Sequence, residues 1–165
     1  MNRIKIYHGS LDVVSAPEIR LPDRTLDYGC GFYTTTDYGQ ARRWVMRHAG
    51  DVPKPQRGYV NIYEVDIDAV RCGNCPWFDK PDERWVDFVY ANRNIRGYAH
   101  QYDFVYGPVA NDKVYAAFAL YEAGLVNKQE LIVELKTCKP VDQLLMHTVR
   151  SLGALTFIGA EEVEL

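Results

Sequence analysis

Apolar and polar residues alternate from the start of the chain. Ile4, Ile6 and His8 fall on one face of residues 3–8 and Arg3, Lys5 and Tyr7 on the other. That is the pattern of a half-buried strand, with a histidine in line with its apolar side. Residues 11–31 carry Pro17, Pro22, Gly29 and Gly31 among scattered charges, and read as a loop or at most a short helical turn. Long loops in compact domains tend to be functional. Asp37 and Gln40 then stand at capping-box spacing, and Ala41, Trp44, Val45 and His48 recur at helical spacing until Gly50. This predicts a helix over 38–49 with Trp44 inward and Arg42, Arg43 and Arg47 largely outward.

Further along, "DVPKPQRG" is a Pro-rich turn, and the β-branched and aromatic run "YVNIYEVDID" predicts a strand over 59–67. Its mixed alternation implies that both faces are partly covered. Trp85, Phe88 and Val89 repeat at helical spacing behind Pro81 and Asp82, so a helix is expected over 82–93, and "YDFVYG" at 102–107 returns to a strand. "NDKVYAAFALYEAG" reads as a helix ending at Gly124, and "NKQELIVELKT" as another capped by Asn127 and Glu130. "DQLLMHT" is then a strand, "VRSLGAL" a short helix and "LTFIGA" a final strand. The order is mixed α+β. With no repeat, low-complexity tract or linker, residues 1–165 are expected to form a single domain.

Composition narrows the class. At 165 residues, 47% hydrophobic and 25% charged, the chain can bury its own core. Its net charge of -3, from 19 Lys and Arg against 22 Asp and Glu, gives no global field that would draw it to a polyanion. The opening "MNRIKIYHG" has no apolar signal core, and no run approaches the roughly 18–20 residues that span a bilayer, so no membrane partner and a cytoplasmic location are expected. Cys30, Cys72, Cys75 and Cys138 are too few and scattered for a disulfide framework. "CGNC" at 72–75 has redox or zinc-knuckle spacing but lacks a second pair, so free thiols and no metal are expected.

Three residues stand out chemically: His8 at a strand end in "YHGS", Tyr33 in the glycine-flanked "GFYTTT", and Trp44 on a helix face. Each alone has a structural reading as core or edge packing. Their order and spacing resemble the NAD-binding core of the diphtheria-toxin-like ADP-ribosyltransferases. There a Tyr-His-Gly strand is followed by Gly-Phe-Tyr, a Ser/Thr pair and a helix bearing a second aromatic. Here the second aromatic, Trp44, follows Tyr33 by eleven residues. The remainder, with "FVYANRN", "YDFVYGPVANDKVY" and "DQLLMHT", resembles DUF3990, a bacterial family assigned to the ADP-ribosyltransferase superfamily. The toxin-like motifs cover about a quarter of the chain and the second resemblance nearly all of it.

The resemblance implies a split two-sheet transferase core with NAD, as substrate, in the cleft. Cleaving the glycosidic bond of NAD expels nicotinamide and leaves an oxocarbenium-like ribose, so the site must hold a flat ring and favour positive charge. Tyr33 and Trp44 would clamp the ring. The Gly9 backbone would bond the carboxamide, His8 the adenosine ribose, and Thr34 would line the same cofactor site. In the family pattern a Glu opens a late strand and anchors the nicotinamide ribose; the matching position here is Gln143. A glutamine amide can accept that hydrogen bond but brings no charge. Asp142 would point to the opposite strand face, and Asp103 and Asp112 are the other candidate carboxylates, with Asp112 equally explained as a helix cap. Arg93 and Arg96 in "NRNIRG" could meet a pyrophosphate or form a solvated basic loop, and Tyr59, Tyr63, Tyr102 and Tyr106 read as sheet packing.

Three readings of function follow. The first is an NAD-dependent mono-ADP-ribosyltransferase, a glycosyltransferase in the chemical sense, acting on an unknown protein, nucleic-acid or small-molecule acceptor. Family members that look like toxin components of toxin–antitoxin pairs imply a small neutralising partner. The second is a catalytically degenerate module of the same fold that binds NAD, another nucleotide or a protein; Gln143 favours it. The third, a 2'-phosphotransferase for RNA repair, needs a strongly basic face, against which the net charge of -3 argues.

Overall fold

The alternation at the N-terminus builds β1 (Arg3–Ser10), whose Ile6 is fully buried. A computed structural model of the chain describes residues 2–50, 57–109, 112–138 and 141–165, and of Asp112 the backbone alone. After a long loop without helix or strand come β2 (Phe32–Thr34), α1 (Tyr38–Ala49), β3 (Gly58–Asp66), α2 (Ile67–Cys72), α3 (Glu83–Asn94) and β4 (Phe104–Pro108). They are followed by α4 (Asp112–Glu122), α5 (Lys128–Lys136), β5 (Asp142–Met146), α6 (Val149–Leu152) and β6 (Thr156–Val163). The fold is mixed α+β, with two small antiparallel sheets and flanking helices. One sheet runs β1-β3-β6 and the other β2-β5-β4.

Three apolar clusters stack these layers. Ile6, Tyr63 and Val65 from the first sheet join Phe32, Phe104, Leu144 and Met146 from the second in one cluster between the sheets. On its other face the second sheet presents Val105 and Leu145 to Trp85, Val89, Phe118, Leu131 and Leu135 of α3, α4 and α5. Helix α1 covers the outer face of the first sheet, where Ala41 and Val45 pack on Val60 and Val163.

Local signals explain the helix ends. The Asp37 carboxylate accepts from the Gln40 N–H at 2.9 Å, while the Gln40 side chain accepts from Arg43 rather than closing a capping box. The capping box expected at Asn127 and Glu130 is complete. Helix α2 lies outside the sequence expectations, in which the strand ends at residue 67 and residues 68–71 carry no element. Asp66 caps it by accepting from Asp68 and Ala69 N–H groups, and Ile67 and Val70 bury its apolar face. The expected Pro-rich turn falls largely on residues 51–56, outside the described residues.

Trp44 requires a correction. It is 41% exposed, not inward, because the buried stripe of α1 is Ala41, Val45 and Ala49. The helix lies too close to the sheet for an indole. A Cβ on Gly9 would come within 2.4 Å of the Ala41 carbonyl oxygen, and one on Gly58 within 2.1 Å of Val45 Cγ1. Small residues therefore face the sheet, and the large ring is left at the margin.

This close seating has a measurable consequence. Gly58→Ala is expected to lower stability by about 1–3 kcal/mol through overpacking, read as a reduced urea midpoint with unchanged slope. Val45→Ala in the same chain should restore part of the loss, giving a favourable coupling energy. Additive losses would show that another contact limits the approach.

Candidate functional site

The two sheets meet where β1 passes the end of β2. Tyr7 N–H donates to the Thr35 carbonyl at 2.8 Å and Thr35 N–H returns to the Tyr7 carbonyl at 3.0 Å. Continued in antiparallel register, the next such pair would be Gly9 with Tyr33. Instead the His8 ring takes the position: its Nδ1 lies 2.7 Å from the Tyr33 carbonyl oxygen. A carbonyl only accepts, so Nδ1 carries the proton and Nε2 has an open lone pair. Burial pushes the His8 imidazole below its ordinary value, partly opposed by the Tyr33 carbonyl, so the ring is neutral at pH 7.

Alternate residues of a strand turn their backbone polar groups to the same edge. Gly9 therefore presents its N–H and C=O toward the edge that Tyr7 uses, at the point where the ladder has stopped. The glycine itself is demanded from another direction, by the approach of α1 described above. Beside it, the His8 ring centre lies 4.4 Å from that of Phe32 and 6.5 Å from that of Trp44. Trp44 stacks on His48 at 3.9 Å, which fixes the exposed indole at the mouth of this corner.

Tyr33 contributes its carbonyl to the corner, but its ring turns to the helix side of the second sheet. Its hydroxyl donates to the Gly29 carbonyl at 2.8 Å and accepts from the Tyr28 N–H at 3.3 Å, and burial pushes the phenol well above its ordinary value. Among the described residues, Tyr33 and Trp44 make no ring contact. The two rings expected to face each other across a ligand stand apart.

Gln143 is 7% exposed and shares the face of Tyr33, since Tyr33 pairs with Leu145 two residues on. Its amide donates weakly to the Pro108 carbonyl at 3.5 Å and meets the Tyr28 hydroxyl. Tyr28, fully buried, donates to Pro108 at 2.8 Å and accepts from the Trp85 indole N–H at 2.6 Å. Tyr28 was not singled out from the sequence, where it stands in a loop with no periodic neighbour.

The other candidates are already engaged. Thr34 is buried and donates to the Leu144 carbonyl at 2.6 Å. Asp142, on the opposite face from Gln143, accepts from Thr36 N–H at 2.9 Å, Thr36 hydroxyl at 2.6 Å, Thr35 hydroxyl at 3.3 Å and Tyr106 hydroxyl at 3.0 Å. Asp103 pairs with Arg150 and accepts from Thr148, and these two hold its carboxyl below the usual range. Asp112 opens α4, and its side chain lies outside the described residues. Arg93 is locked between Asp27 at 3.5 Å and Glu122 at 3.0 Å, whereas Arg96 is exposed. Burial pushes the Cys75 thiol up to about 11, and Cys72 is exposed. Among the described residues no group of three or more His, Cys, Asp or Glu comes together to hold a metal.

The family model described as "Protein of unknown function (DUF3990)" matches residues 4–157, and the chain belongs to that family. No curated protein and no solved structure matches it. Among the described residues, no helix is long and apolar enough to cross a membrane.

The His8 arrangement sets a pH dependence. Its folded value lies below the ordinary 6.5, so below that pH the unfolded chain takes up a proton that the folded chain refuses. Neutral His8 is accommodated above pH 6.5, and stability falls as the pH drops below it. A nitrogen-15 imidazole titration should show an Nδ1–H tautomer titrating below 6.5; titration at or above that value would contradict the burial of the ring, and an Nε2–H tautomer would contradict the His8–Tyr33 bond.

Proposed function

We propose that this DUF3990 protein binds NAD at the split between β1 and β2 and transfers its ADP-ribose to an acceptor. The observation carrying the reading is that the ladder stops after Tyr7–Thr35, with neutral His8 and the Gly9 backbone at its open end. The resemblance of "YHGS" and "GFYTTTDYGQARRW" to toxin-like transferases supports the same assignment.

On this reading the residues around the split take the following roles. A carboxamide has one donor and one acceptor side, and Gly9 N–H with Gly9 C=O complements both. His8 Nε2 accepts from a ribose hydroxyl. The exposed Trp44 face takes the cationic nicotinamide ring, while Tyr33 acts through its carbonyl, which fixes the His8 tautomer. Gln143 accepts from the 2'-hydroxyl of the nicotinamide ribose. In the reaction the bond from ribose C1' to the nicotinamide nitrogen breaks, and its electron pair leaves with nicotinamide. A lone pair of the acceptor forms the new bond to C1', and the acceptor's proton passes to solvent.

A second reading, an NAD-binding module without turnover, is favoured by Gln143. The residue lacks charge, and its amide already faces the Pro108 carbonyl and the Tyr28 hydroxyl.

Calorimetric titration with NAD, followed by an assay for released nicotinamide, tests both. Wild-type protein should bind and release, and Trp44→Ala should weaken binding roughly 2- to 30-fold, the range of a cation over an indole. Because Trp44 is 41% exposed, its removal should leave the melting temperature unchanged. Binding without release, with release gained in Gln143→Glu, would select the second reading. Absence of binding would overturn both.

A further inference from the structure

At the opposite end of the second sheet, the turn before β2, the residue after β5 and the segment following α3 enclose a cavity of about 350 Å³. Asn92, Tyr98, His100, Tyr102 and His147 line it, and no Lys, Arg, Asp or Glu does. We propose that this cavity binds a guanine-type base, held by paired N–H donors on the base edge and by stacking on its aromatic walls.

The hydrogen-bond inventory sets the ligand. His147 Nδ1 lies 2.6 Å from the Cys30 carbonyl and must donate to it, leaving Nε2 as an acceptor; that atom is buried and has no partner among the described residues. Asn92 donates through Nδ2 to the Phe88 carbonyl at 2.9 Å, leaving Oδ1 as a second open acceptor. His100 donates through Nε2 to the Tyr28 carbonyl at 2.9 Å, and its Nδ1 accepts only a long 3.4 Å contact from Tyr102. The two imidazoles cross edge to face at 4.3 Å. Burial holds His147 down to about 4 and lowers His100, so both remain neutral acceptors at pH 7.

Three acceptors with spare capacity on residues of one cavity call for a ligand that carries more than one donor. A guanidinium offers them, but no carboxylate lines the cavity to offset the removal of a full charge from water. A neutral base with a ring N–H beside an exocyclic amine satisfies the same acceptors without that cost. Tyr98, 40% exposed at the rim, with His100 and Tyr102 provides the faces on which a base stacks. The cavity volume lies within the range of small-ligand sites. A free nucleotide and a single strand present the same base, and this inference does not rest on the NAD reading.

Titration with guanosine monophosphate, inosine monophosphate, adenosine monophosphate and methylguanidinium tests the assignment, with nitrogen-15 imidazole spectra recorded alongside. Guanosine monophosphate should bind and shift the His147 Nε2 resonance. Inosine monophosphate, lacking the exocyclic amine, should bind about tenfold more weakly, the worth of one hydrogen bond. Tyr98→Ala should cost about tenfold without moving the melting temperature, and His147→Phe should erase the preference for guanine. A guanine-rich single strand that outbinds the nucleotide with the same Tyr98 dependence assigns the base to nucleic acid; equal affinity assigns it to a free nucleotide. Guanosine monophosphate that fails to bind, binds no better than adenosine monophosphate or methylguanidinium, or ignores Tyr98→Ala would overturn the assignment.

Discussion

The two hydrogen bonds between Tyr7 and Thr35 join the sheets backbone to backbone, beside the His8 bond to the Tyr33 carbonyl and the apolar cluster between the layers. Had the ladder continued, β1 and β2 would have fused the sheets into one and closed every edge in the corner. The His8 ring prevents this by satisfying the Tyr33 carbonyl itself. A buried carbonyl without a partner would be costly, so the imidazole is a structural substitute for the Gly9 N–H. The same bond fixes the tautomer that leaves Nε2 open. Sheet separation and the open Nε2 thus follow from one contact.

A second constraint acts from the other side of β1. Helix α1 comes down onto Gly9 and Gly58 with clearances that admit no Cβ, and this forces small residues onto its inner stripe. Trp44 is displaced to the margin, where it stacks on His48 near His8. An inward Trp44 would have been core; a marginal one is available to a ligand. The residue's exposure follows from the spacing between helix and sheet.

Periodicity made the major elements legible because burial on one face imposes it. The helices around Val45, Val89 and Leu131, and the strands around Ile6 and Leu144, follow their apolar repeats. Helix α2 escaped because a six-residue segment gives one apolar repeat, which a strand end mimics. Trp44 was misplaced because helical spacing cannot distinguish the centre of a buried stripe from its edge. The candidate site was legible as residue types, in His8, Gly9 and Gln143, but not as geometry. That Tyr33 would commit its hydroxyl to Gly29, and that Tyr28, Trp85 and Gln143 would meet around Pro108, depends on pairings between distant segments that no local pattern carries.

The balance of charge around the corner bears on what it can do. Asp142 is held by two threonines and a tyrosine, Asp103 by Arg150 and Thr148, and Asp27 by Arg93, while His8 is neutral and Gln143 carries no charge. No described carboxylate in this set is free to face a developing cation. The polar groups left at the corner are dipoles, the Gly9 backbone and the His8 lone pair, while Gln143 lies against Pro108 and Tyr28. Fixed dipoles in a water-poor site stabilise charge without reorganising, yet each does less than a carboxylate at the same distance. On the proposed reading, holding a dinucleotide would draw on the hydrogen-bonding groups and the exposed indole of this corner, whereas bond cleavage would draw on negative potential, which no free carboxylate among those named supplies. If the proposed reading holds, a partner or acceptor that brings its own carboxylate to the corner would raise turnover more than it would raise binding.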